Sequence, residues 1–168
     1  MKRILTLLLL SCFMFVLAGC SNANSPEKIK ARQDAFSSWN TKLTQDIKEM
    51  DDIEALIGQI TQAASDGRLN KLDAYNKLKK TTDRLANLSL SLGSHTPPDV
   101  LTGEQKEKLN DATKKLASAA ALRQMSNESL LEMLNSNSFP PSKMNDFKEN
   151  RESAKSFIAN AIDTIKSV

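Results

Sequence analysis

Three kinds of side chain in this sequence could do chemistry, and each occurs sparingly. The thiols are Cys12 and Cys20, the one imidazole is His95, and the densest carboxylate group is Glu49, Asp51, Asp52 and Glu54. A lone histidine cannot supply the two Glu-x-x-His pairs of a di-iron bundle or a histidine-rich zinc set, and a triad would need a nucleophile and an orienting group placed beside it. His95 follows Gly93 and Ser94 and precedes Thr96, Pro97 and Pro98, so it reads as a surface loop residue. The four carboxylates are interrupted by Met50 and Ile53, which belong to an apolar stripe, and read as charged flanks of that stripe rather than a site. Asp66, Gly67 and Asp73 echo part of a calcium loop. With Gly67 in its sixth place, however, Gln62 and Ala64 would stand where carboxylate ligands are required. No Gly-rich phosphate loop, Gly-x-Ser-x-Gly elbow or c-type haem motif occurs, so no catalytic residue, metal or cofactor is assigned.

The thiol of Cys20 is different, because its context is specific. Lys2 and Arg3 open the chain, and Ile4 to Ala18 follow without a charge. That run is short of the 20 or so apolar residues that span a bilayer and suits the apolar region of a secretory leader. Small Ala18 and Gly19 then precede Cys20. The string Leu17-Ala18-Gly19-Cys20 resembles the lipobox of bacterial lipoproteins, a resemblance confined to about the first twenty residues. It implies that Leu17, Ala18 and Gly19 are read by the signal peptidase, that cleavage frees Cys20 as the new N-terminus, and that a diacylglyceryl group is attached to its sulfur. Ser21 is similar to the second residue of lipoproteins sorted to an outer membrane. In a one-membrane envelope the same anchor would hold the protein on the outer face of the cell membrane.

The expected organisation is therefore a signal peptide over 1–19, a lipidated cysteine with a short tether over 20–25, and one domain over 26–168. Cys12 leaves with the leader and Cys20 is consumed by the lipid, so no disulfide can form within one mature chain and the domain must be held by its core. Lys2 and Arg3 also leave, which brings the charges, 23 basic against 20 acidic in the full chain, to near balance. Without a basic stripe carrying interleaved aromatics, no nucleic-acid partner is expected.

The elements follow from apolar spacing. Ile29, Phe36, Leu43, Met50, Ile57 and Ala64 recur every seven residues. Trp39, Ile53 and Ile60 stand at the complementary positions, and Ile47 stands in for Asp46. This predicts one long helix from about Pro26 to Ala64, with Ser25 as cap and Gly58 as a possible bend. Gly67 closes it, and Asn70 caps a second helix from about Lys71 to Leu92, with Leu72, Tyr75, Leu78, Leu85, Leu88 and Leu92 on one face. Asp73 with Lys77 and Lys79 with Asp83 are spaced for ion pairs on its outer side, and Gly93 is placed to terminate it. Thr102 and Gln105 form a capping box that opens a third helix to about Asn135. Its buried side is predicted at Leu109, Ala112, Leu116, Ala119, Leu122, Met125, Leu130, Met133 and Leu134. Ala117 to Ala121 would allow close helix approach, and Ser126 and Asn127 mark a candidate bend. Phe139, Pro140 and Pro141 break the chain before a last helix to about Lys166, with Met144, Phe147, Ala154, Phe157, Ile158, Ala161, Ile162 and Ile165 facing inward. No segment alternates with period two. The expected fold is all-α, an elongated up-down-up-down four-helix bundle with a long first helix.

These features predict an extracytoplasmic, membrane-anchored helical binding module with a protein or envelope partner. The competing expectations are a surface exclusion or immunity lipoprotein and a cell-envelope enzyme using carboxylates alone.

Overall fold

A computed structural model describes residues 25–168, which form four helices in sequence: α1 (Pro26–Ser65), α2 (Lys71–Gly93), α3 (Gly103–Ser136) and α4 (Pro141–Lys166). Among the described residues there is no strand. The helices pack as an all-α four-helix bundle.

The helix ends obey the predicted local chemistry. The Ser25 hydroxyl accepts from the Lys28 amide and Pro26 occupies the first helical position, where its missing N–H costs nothing. The Asn70 side chain accepts from the Asp73 amide at 2.9 Å. Thr102 and Gln105 exchange side-chain-to-backbone bonds as a complete capping box. Gly67 adopts φ +70°, a left-handed conformation that glycine enters without a Cβ penalty, and turns the chain from α1 into α2. Gly93 is different. It is the last residue of α2, with Ser94 as the cap and no left-handed conformation, and a Cβ at Gly93 would lie 3.9 Å from that of Ala117. Its smallness serves close packing against the alanine-rich part of α3, where the Ser89 hydroxyl also donates to the Ala117 carbonyl.

The core is a continuous stripe from each helix. Leu43, Met50, Ile53, Ile57 and Ile60 of α1 meet Leu78, Leu85, Leu88 and Leu92 of α2 and Leu109, Leu116, Ala119 and Ala120 of α3. α1 and α3 run unbroken through Gly58 and through Ser126 and Asn127, respectively. α4 buries only Ala154, Ala161 and Ile165, so it lies on α3 through small residues that permit close approach, while Met144, Phe147, Ile158 and Ile162 are half-buried and Phe157 is exposed.

With Phe157, which lies on a helix that buries only small residues and Ile165, four residues predicted to face inward are exposed. Leu72 is six positions from Leu78, about 240° around the helix, and Met125 is nine from Leu116, about 180° around. Ile29 keeps the α1 rhythm but lies in the first turn of a helix whose residues 25–34 are all exposed, beyond the reach of its partners. The expected Asp73–Lys77 and Lys79–Asp83 pairs are not formed; Asp73 bonds the Asn70 side chain instead.

Candidate functional site

The carboxylates of α1 do not converge. Glu49 pairs with Arg84 of α2, Asp51 with Arg123 of α3, Glu54 with Arg151 of α4, and Asp52 with Lys48 of its own helix. They flank the buried stripe and tie α1 to each neighbour in turn. Most are partly exposed pairs, worth about 0–1 kcal/mol each. Among the described residues no group of three or more His, Cys, Asp or Glu is placed to hold a metal ion.

Arg123 stands apart because its side chain is buried. It follows Leu109 and Leu116 at seven-residue intervals, so it occupies a seam position on α3. Its guanidinium donates to the Met50 carbonyl at 2.8 Å and to Asp51 at 3.3 Å. Burial pushes its pKa below the usual arginine range, against the opposing effect of Asp51, and the group stays charged. One turn on, fully buried Asn127 donates to the Thr81 hydroxyl at 2.9 Å, and Ser126 donates to the Phe147 carbonyl. The guanidinium of Arg151 sits 5.0 Å from the Phe147 ring centroid. Together these polar contacts involve residues of all four helices.

His95 was expected at the surface. It is instead packed under the α2–α3 loop, with its side chain 2% exposed and Nε2 2.9 Å from Asp46 of α1. The Ser91 hydroxyl reaches the same carboxylate at 3.4 Å. The departure of Asp46 from the apolar seam thus has a partner 49 positions later. The N–H of His95 does not aim at Asp46, so the contact lacks an aligned hydrogen bond. Burial lowers the imidazole pKa; Asp46 opposes that shift and Lys42 adds to it. The folded state therefore favours neutral imidazole, while the unfolded chain takes up a proton near its ordinary pKa of about 6.5. Stability is accordingly expected to be level above neutrality and to fall as pH drops below that value. Urea unfolding between pH 7.5 and 5 checks this: His95→Asn should flatten that part of the profile, and an unchanged slope would remove His95 as its source.

An apolar cleft lies at the other end of the bundle. Ile60, Thr61, Ala64 and Ser65 of α1, Ala74 and Leu78 of α2, Leu130 and Leu134 of α3, and Phe139 of the α3–α4 connection line a cleft of about 380 Å³. Its walls are aliphatic. The Thr61 hydroxyl is turned back onto the Ile57 and Gly58 carbonyls of its own helix. Phe139, 56% exposed, forms the lip. The local backbone explains why. Asn137 takes a left-handed conformation at φ 54°, Ser138 bonds back to the Met133 carbonyl, and Lys71 reaches from α2 to Asn135 and Asn137. The chain is thereby turned across the cleft instead of away from the bundle. A second depression of about 480 Å³, along Asp34, Ser37, Ser38, Thr41, Lys42 and Gln45, is lined by α1 alone and is the open side of a helix.

Sequence reading identified Phe139 only as part of a break between helices. A bulky aromatic between a helix end and two prolines was the available signal, but its direction depends on the Asn137 turn. The residues Leu17, Ala18, Gly19 and Cys20 lie outside the described residues.

The fold and cleft define an all-α four-helix bundle with an apolar recess at the end away from its N-terminus. No family model, curated protein or solved structure matches this chain.

Proposed function

We propose that the protein is an extracytoplasmic lipoprotein, held at the envelope by acyl chains on Cys20, whose bundle is a binding module for a small apolar molecule. The observation that carries the binding reading is the distal cleft. Its volume falls at the lower end of the range of small-molecule sites, and its lining is apolar with few polar atoms at the mouth. A helix about 10 Å across would not enter it, which favours a ring or short aliphatic chain over a helical peptide. Pro26 and Ile60 are 34 residues apart along one helix, about 50 Å at 1.5 Å per residue, so a lipid at Cys20 would leave the cleft facing away from the membrane.

The cleft can be filled without removing a core contact. Ala64→Phe is expected to abolish binding of an apolar fluorescent probe such as N-phenyl-1-naphthylamine while leaving thermal unfolding unchanged or slightly raised. Phe139→Ala should weaken binding by opening the lip. Probe binding that survives Ala64→Phe undiminished would show that the cleft is not the site.

A further inference from the structure

The first ten described residues continue the α1 helix beyond the bundle, and their side chains are sorted by face. Ile29 is 36% exposed, and seven residues later the half-buried Phe36 joins the core, so the buried seam runs out past its partners uncovered. At 100° per residue, Lys28 and Arg32 fall beside Ile29 and Phe36, whereas Glu27 and Asp34 fall on the opposite side of the helix. An uncovered Ile29 flanked by cations, with acids directed away, suits a helix face that lies on an anionic lipid surface.

The position of Cys20 decides between possible occupants. Only Ser21 to Ser25 separate it from α1, a tether of at most about 18 Å even when extended. We infer that the overhanging face of α1, centred on Ile29 and Arg32, rests on the anionic headgroups of the bilayer that holds the lipid on Cys20. This rests on the lipid-anchor reading and adds an orientation to it. The acyl chains supply attachment, and the cationic face limits how freely the bundle swings about its tether.

The test uses the lipidated chain carrying Ile29→Cys, whose new thiol can be labelled with an environment-sensitive fluorophore because Cys20 is acylated. Asp34→Cys, on the opposite side, is the control. Each is reconstituted on phosphatidylcholine vesicles with or without phosphatidylglycerol, and flotation reports attachment separately. The expected result is flotation throughout, with a blue shift and loss of iodide quenching at position 29 only when phosphatidylglycerol is present. That shift should be lost in a Lys28→Glu, Arg32→Glu variant, while position 34 stays water-exposed. Flotation with a water-exposed label at position 29 on anionic vesicles would overturn the face contact and leave the anchor standing. A shift at position 29 that ignores lipid charge and grows with protein density would overturn it in favour of a second copy. Failure to float would remove the anchor reading and this inference with it.

Discussion

Replacing Cys20 with alanine is expected to abolish the acylated, leaderless form of the protein and with it stable membrane attachment, while the helical content of the domain stays unchanged. In the proposed mature chain, acyl chains on the Cys20 sulfur are what enters hydrocarbon. No described helix is long and apolar enough to cross a membrane. One acyl chain binds a bilayer only marginally, but each buried methylene adds about 0.8 kcal/mol, so two or more chains make the attachment effectively permanent. The effect of losing them is therefore close to all-or-none. The fold should be indifferent, because the described structure begins at Ser25 and no described residue before Phe36 packs against the core. Intact-mass measurement of native material, membrane fractionation and far-UV circular dichroism together check the expectation. A wild-type mass with an intact leader or an unmodified thiol would overturn it.

Arg123→Ala is expected to destabilise the bundle by about 2–4 kcal/mol, and Arg123→Met by much less. The reasoning turns on which part of the arginine is held. Its partner Asp51 is 52% exposed and can rehydrate when the guanidinium is removed, so the full penalty of a stranded buried charge does not apply. The aliphatic stem, however, fills a seam position between Leu116 and Leu130. Truncation removes two methylenes at about 0.8 kcal/mol each, together with the guanidinium, and leaves a cavity besides. Methionine restores the stem without the charge, and such replacements in buried ion pairs are often near neutral. Denaturant midpoints of the two variants decide the matter. Equal losses would assign the stabilisation to the ion pair and the Met50 carbonyl bond rather than to packing.

The same comparison of stem and charge shows where sequence reading stops. The seven-residue rhythm located α1 through Ile57 and Ile60, because a buried stripe on one helix is a periodic, local property. It missed Arg123 because a cation at a seam position looks like an interruption until the neighbouring helix offers a carbonyl and a carboxylate. His95 and Asp46 were each visible as irregularities, one a lone imidazole in a loop and the other an acid in an apolar row. Nothing in the chain between them states that they meet. Leu72 and Met125 differ for the opposite reason: both are hydrophobic by type, but their helical phase turns them away from the core.

By itself, the sequence determined the four helices, their caps and breaks, the all-α class and, apart from Ile29 and Leu72, the inward faces of α1 and α2, because capping, proline geometry and apolar periodicity act over a few residues. It also determined the resemblance around Cys20 that motivates the anchor. Only the tertiary structure decided that α1 overhangs the bundle, that its carboxylates disperse to three neighbouring helices, that His95 is buried against Asp46, and that Phe139 closes an apolar cleft. Those outcomes depend on where helices end relative to one another and on the left-handed turn at Asn137, distances set by packing between segments far apart in the chain.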